Sequence, residues 1–338
     1  MGYVSMNSVN LIKPYDGFEL NDDGMKYKKM GEDILRSKSL GVVILSGGQG
    51  TRLGITQPKG LFTIKGKTLF EWHMERIQEL VKSYCAKISV FVMTSSFTDK
   101  EVKEYFQKRD FGLSIQFFMQ SNSVSVDVNG KPLQCFGKDI ESPYGNGDIF
   151  KAIQQVSLEG IDALNVISID NVLAKILDPV FVGAFYSREY DVLSKSVTKG
   201  ENESVGAFLM SNSKLVIREY SESVGDSSGE CGIQGNICNH IFKTSFVKSM
   251  RSVDLKEHKA FKAIPYSVGN ELIKPSSPNG YKKETFIFDC FEYTDKNGVM
   301  NVPREKEFSP LKNGQGSVSD NPMTCTFAVE KHRSEASS

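Results

Sequence analysis

Residues 40–60 read LGVVILSGGQGTRLGITQPKG, and the change of character within this run decides the fold. Leu40–Leu45 is short, apolar and partly β-branched, the pattern of a buried strand, and Gly47-Gly48 stops it. Four glycines (Gly47, Gly48, Gly50, Gly54) then fall within eight residues. A backbone of that kind turns sharply and lets its N–H groups approach an anion closely. Arg52 supplies a planar fork for phosphate oxygens, and Lys59, in Pro58-Lys59-Gly60, a mobile point charge. An isolated GGxG reads as a mere turn, but with the arginine and PKG added it reads as a polyphosphate cradle.

Two better-known phosphate motifs do not fit. A GxGxxG pattern started at Gly48-Gln49-Gly50 would need its third glycine at Leu53. Gly60 precedes Gly66-Lys67-Thr68 with five intervening residues, one more than a Walker A loop allows.

Working outward, Thr68–Tyr84 sets Leu69, Phe70, His73, Met74, Ile77, Leu80, Val81 and Tyr84 at helical spacing, with Thr68 as N-cap. Further strands are expected at Lys87–Thr94, Ser114–Gln120 and Leu164–Asp170, with helices at Thr98–Lys108 and Asp148–Leu158. One more helix is expected around Met25–Leu35. This alternation predicts an α/β fold, a parallel sheet covered on both faces, with ligands at the carboxyl ends of the strands. Asp170 ends one such strand. Beyond it the pattern turns strand-rich, with hairpin-like stretches at 191–198, 205–210 and 215–220. Three units are expected: an N-terminal arm over 1–36, a catalytic domain over 37–312 and a tail over 313–338, partly disordered at its end.

The 338 residues balance 41 Lys+Arg against 41 Asp+Glu, which gives no global field toward nucleic acid or an anionic membrane. No apolar run approaches the roughly 20 residues of a membrane-spanning helix, and the start MGYVSMNSVN lacks a signal-peptide pattern. The Met-Gly start places Met6 where a myristoylation motif wants Ser or Thr. A cytoplasmic protein is expected, with no nucleic-acid or membrane partner. Six cysteines form no CxxC pair, so free thiols are expected, and Cys231, Cys238 and His240 fall short of a zinc site.

The run LSGGQGTRLG…PKG resembles the signature of the sugar nucleotidyltransferases, and its wording is similar to the eukaryotic UDP-N-acetylglucosamine pyrophosphorylases. Further blocks agree in order: FVMTSSF (91–97), FFMQ (117–120), Gly145-Asn146-Gly147, Asp170-Asn171, Val205-Gly206, EYSE (219–222), GNICNH (235–240), IKPSSPNG (273–280), FIFDCF (286–291) and EFSPLKN (307–313). They span most of the chain, although family members usually continue into a C-terminal domain.

The resemblance implies a Rossmann-like nucleotidyltransferase fold with a mixed, mostly parallel sheet. It implies a uridylyltransferase acting on UTP and N-acetylglucosamine 1-phosphate, with Mg²⁺ or Mn²⁺ as cofactor; a monomer is expected. Carried over by position, Leu45, Gly47, Gly48, Gln120, Gly145 and Asn146 would contact the nucleotide. Arg52, Lys59 and Lys312 would act on the phosphates, and Asp170 would hold the metal. Gly206, Glu219, Asn236, Phe286, Phe288 and Lys282 would bind the sugar phosphate. A broader UDP-sugar pyrophosphorylase and an inactive UDP-sugar-binding module are the alternatives. The chemistry asks for little beyond this, because a sugar phosphate is largely a dianion at neutral pH, its second pKa near about 6. No general base is needed, so positioning and charge stabilisation dominate.

Overall fold

The computed structural model describes residues 13–14, 23–200, 203–219 and 232–337. The Met-Gly start, Tyr220–Glu222 of the EYSE block and Cys231 therefore lie outside the described residues. Ten strands among these residues form one sheet. They are β1 (Lys13–Pro14), β2 (Ser39–Leu45), β3 (Lys87–Thr94), β4 (Ser114–Met119), β5 (Ala163–Ser168), β6 (Val192–Thr198), β7 (Ala207–Ser211), β8 (Lys214–Arg218), β9 (Gln234–Lys243) and β10 (Asn297–Asn301). The main order is β1-β7-β9-β5-β2-β3-β4, with β8 beside β7, and β6 joining β9 to β10.

The four strands β5-β2-β3-β4 are mutually parallel, and β9 adds antiparallel to β5. From β2 the chain steps outward to β3 and β4, then returns to place β5 on the other side of β2. That reversal makes the carboxyl ends of β2 and β5 a topological switch point, where open α/β sheets form a crevice. The glycine loop leaves β2 there, and Asp170 lies just past β5.

Period-two alternation sends neighbouring residues of each strand into separate cores. Val42, Ile44, Val90 and Val92 pack with the helices α1 (Gly24–Ser37), α2 (Leu69–Tyr84), α3 (Asp99–Gln107), α4 (Pro179–Ser187) and α5 (Pro322–Ser337). Val43, Leu45, Phe91 and Met93 join Ile149, Phe150, Phe208, Phe288 and Phe291 on the other face. Near-continuous apolar strands are what burial on both faces demands.

α2 begins with a full capping box: Thr68 Oγ1 accepts from Glu71 N–H at 3.1 Å, and Glu71 Oε2 accepts from Thr68 N–H at 2.6 Å. The helix expected over 148–158 is instead a single α turn, Ile149–Ala152, between two 3₁₀ turns, and its apolar residues are buried on all sides. The tail carries α5 (Pro322–Ser337). α5 is started by Asn321, whose Oδ1 accepts from Thr324 N–H at 3.0 Å, and it anchors Cys325 and Val329 in the core. No helix among the described residues is long and apolar enough to cross a membrane.

Candidate functional site

β2 ends clamped between its neighbours: Ser46 N–H donates to Met93 O at 2.8 Å, and Leu45 O accepts from Ile169 N–H at 3.2 Å. The chain beyond must turn at once. Gly50 and Gly54 both take φ of +71°, flanking the 3₁₀ turn Thr51–Leu53 that carries Arg52. Such angles are strained for any residue with a Cβ. Gly47 is glycine for a different reason: a Cβ there would lie 1.8 Å from Gln120 Nε2. The loop closes on itself where Lys59 N–H donates to Gly48 O at 3.3 Å. Arg52 is exposed at the tip.

Lys59 brings loop and strand end together. Its Nζ lies 3.2 Å from Asp170 Oδ2, while Ser168 Oγ donates to Asp170 Oδ1 at 2.8 Å. Burial pushes the Asp170 carboxyl up, but the charges of Lys59 and then Lys312, with the bonds from Ser168 and Lys59, hold it below the usual carboxylate range. Lys312 arrives on a strap. Leu311 N–H donates to Asp170 O at 2.9 Å. Asn171 Nδ2 donates to Glu307 O at 2.8 Å, and its Oδ1 accepts from Ser309 N–H at 2.9 Å. The Lys312 ammonium donates to Ser204 O at 2.9 Å. The EFSPLKN block is thus bonded to the turn that carries Asp170.

Among the described residues no three His, Cys, Asp or Glu side chains gather to hold a metal. A lone, partly buried, ionised carboxylate does not make a zinc site. It fits a hard dication such as Mg²⁺, which takes its other oxygens from phosphates and water.

Across the loop, Gln120 is buried, with its N–H donating to Thr94 O at 3.0 Å, and its Oε1 has no partner. Beside it the segment 144–147 is knitted to 285–287. Thr285 N–H donates to Tyr144 O at 2.7 Å, and Gly147 N–H to Thr285 O at 2.9 Å. Asn146 Oδ1 accepts from Ile287 N–H at 2.9 Å, so this oxygen shapes the wall. Phe286 is half-buried and stacks on Phe288 with centroids 5.0 Å apart. Phe288 itself is a core residue that backs Phe286. Lys282 stands on the neighbouring strand Gly280–Glu284.

The third group forms where β7, β8 and β9 converge. A Cβ on Gly206 would lie 2.9 Å from Glu219 Oε1, and Gly206 O accepts from Asn236 N–H at 2.8 Å. Asn236 Oδ1 accepts from Cys238 N–H at 2.9 Å. Pairing between β6 and β9 shifts register from Ser194–His240 to Ser196–Asn236, so residues 237–239 bulge opposite Lys195, with Cys238 at φ +51°. Burial pushes the Cys238 thiol up to about 12, and the charges of Asp170 and Glu219 add to the shift while Lys312 opposes it. One thiol therefore feels both the strand-end carboxylate and the Glu219 group, which ties the third group to the first.

Sequence reasoning missed four contributors. Ser168 and Asn171 orient Asp170 and the strap. Cys238 sits at the bulge. Glu284 is raised by burial against the opposing charges of Lys282, Lys262, His258 and Arg52. Asn171 and Cys238 were visible within the Asp170-Asn171 and GNICNH blocks but without a role; Ser168 and Glu284 had no local signal. His240 is buried, with Nδ1 2.8 Å from Ser194 Oγ.

The sequence profile described as UTP–glucose-1-phosphate uridylyltransferase matches residues 4–327. A protein of Encephalitozoon cuniculi, described as a probable UDP-N-acetylglucosamine pyrophosphorylase, is 72% identical over 98% of both chains. The UDP-N-acetylglucosamine pyrophosphorylase of Saccharomyces cerevisiae is 37% identical over 90% of this chain and 71% of its own. The crystal structure of the Trypanosoma brucei UDP-N-acetylglucosamine pyrophosphorylase with an inhibitor superposes at a TM-score of 0.80 with 28% identity, covering 94% of this chain and 72% of that one.

Proposed function

This chain belongs to the UTP–glucose-1-phosphate uridylyltransferase family, and we propose that it joins UTP to N-acetylglucosamine 1-phosphate, forming UDP-N-acetylglucosamine and pyrophosphate. The observation that carries this reading is the 3.2 Å contact between Lys59 Nζ and Asp170 Oδ2. It puts the cation of the glycine loop and the strand-end carboxylate at one point of the crevice. The names of the relatives support the N-acetylated sugar.

In this mechanism the uracil lies against Gln120 and the Gly145 wall, where the unpartnered Gln120 Oε1 offers an acceptor for an imide N–H. The Leu45–Gly48 backbone borders the nucleoside, and Arg52 and Lys59 take the triphosphate oxygens. Gly206, Glu219 and Asn236 hold sugar hydroxyls or the acetamide, with Phe286 against the N-acetyl group. Lys312 and Lys282 steer the sugar phosphate. One of its oxygens attacks the α-phosphorus in line, the bond to the bridging oxygen breaks, and pyrophosphate leaves with the electron pair. Lys59 and Arg52 stabilise the charge that develops on it. Asp170 would hold Mg²⁺ or Mn²⁺, which when bound would neutralise charge on the substrate phosphates. Five described cysteines are free thiols, which supports a reducing, cytoplasmic setting.

Steady-state pyrophosphate release by the purified protein tests this reading. Release should need UTP, N-acetylglucosamine 1-phosphate and Mg²⁺ together, with kcat/KM at least about tenfold above that for glucose 1-phosphate. Binding of UDP-N-acetylglucosamine without turnover would refute it.

A further inference from the structure

We propose that His73 and Arg76 on α2 are positioning residues that fix the turn carrying Asp170 and thereby set its grip on the metal ion. The inference rests on the reading of Asp170 as the metal carboxylate.

The two side chains sit three residues apart and share one helical face. His73 Nε2 lies 3.1 Å from Ile169 O, and Arg76 Nη2 donates to Val172 O at 2.6 Å. Those carbonyls stand immediately before and after the Asp170-Asn171 pair. A carbonyl accepts only, so the imidazole presents Nε2–H. On the opposite side the same four residues are held by the strap. Asp170 O takes Leu311 N–H, and Val172 N–H donates to Ser309 O at 3.2 Å. The main chain of 169–172 is thus pinned between a helix and a strap, and the carboxylate projects from a fixed backbone.

Packing alone does not account for these residues. His73 Nδ1 and Arg76 Nη1 are both buried without a partner. An unpartnered buried donor or acceptor is destabilising, and an apolar residue of similar size would avoid it. What each polar group supplies at this place is its one bond to the turn. Partners one step behind a metal ligand alter metal affinity about 10- to 100-fold when removed.

Mn²⁺ serves as the probe, its free concentration read by electron paramagnetic resonance during titration of the full chain with UDP-N-acetylglucosamine present. His73→Leu and Arg76→Met should each weaken Mn²⁺ binding about tenfold, while affinity for UDP-N-acetylglucosamine in EDTA stays within about twofold. His73→Gln, whose Nε2 can still donate, should recover to within about threefold of wild type. Wild-type Mn²⁺ affinity in His73→Leu and Arg76→Met would overturn the proposal, and so would a full loss in His73→Gln. Should either apolar variant fail to fold, Arg76→Lys keeps the charge but not the reach of the fork. A loss of about threefold supports the proposal and unchanged affinity overturns it. Asp170→Asn separates the two levels. If it binds Mn²⁺ like wild type, the metal reading itself falls. If it alone loses binding, only the role of α2 falls.

Discussion

Lys195 offers the sharpest perturbation of the scaffold behind the site. It is fully buried in β6, with Nζ 3.0 Å from Asp178 Oδ2 and 2.5 Å from Glu307 Oε2. Lys195→Met preserves length and bulk but removes the charge. Asp178 and the 3%-exposed Glu307 would then be left with Lys175, 3.8 Å from Glu307, as the remaining cation. Removing one partner of a buried ion cluster costs about 3–5 kcal/mol, a large share of the roughly 5–15 kcal/mol that holds a protein folded. The damage should spread to function. Asp178 caps α4 by accepting from Val180 N–H at 3.3 Å, and Glu307 O receives Asn171 of the Asp170 turn. Urea unfolding followed through Trp72, which is buried with Nε1 bonded to Ile64 O, gives the loss directly. Replacing all three groups (Lys195→Met, Asp178→Leu, Glu307→Met) should recover most of it, because hydrophobic replacement of a whole cluster is often neutral. A loss below about 1 kcal/mol in the single variant, or no recovery in the triple, would refute the reasoning.

Other outcomes follow from single contacts. Arg52→Ala should lower kcat by about 100-fold or more if the guanidinium stabilises leaving-group charge; a near-wild-type rate would remove it from the mechanism. Gly47→Ala should displace the Gln120 amide and raise KM for UTP about tenfold, the equivalent of one lost hydrogen bond, with a smaller change in kcat. His240 is buried, which lowers its pKa to about 3 against about 6.5 unfolded. The unfolded state therefore takes up the proton first, and stability is full above pH 6.5 and falls as pH drops toward 3. Between pH 7 and 5 the wild type should lose about 2 kcal/mol more than His240→Asn, measured by denaturant unfolding at both pH values; equal losses would show the ring protonated in the fold.

The parallel half of the sheet was legible because strands buried on both faces leave unbroken apolar runs; Lys87–Thr94 matches its strand end to end. The loop was legible because left-handed backbone and close approach leave glycine as their mark. What stayed hidden was non-local. Lys195, a charge in the centre of a strand, gives no sign of the carboxylates that meet it from residues 178 and 307. The bulge at Cys238 depends on pairing with β6. The short strands between Asn122 and Pro143, two or three residues each, are too brief for any period. Phe286 and Phe288 look alike in sequence, and only their neighbours separate wall from core.

Hydrogen–deuterium exchange across residues 46–62, with and without saturating UTP, tests the central claim most directly. If the glycine loop wraps the triphosphate over Lys59 and Asp170, its amides should exchange at least about tenfold more slowly with UTP bound. Unchanged exchange in this loop, alongside slowing elsewhere, would contradict the account.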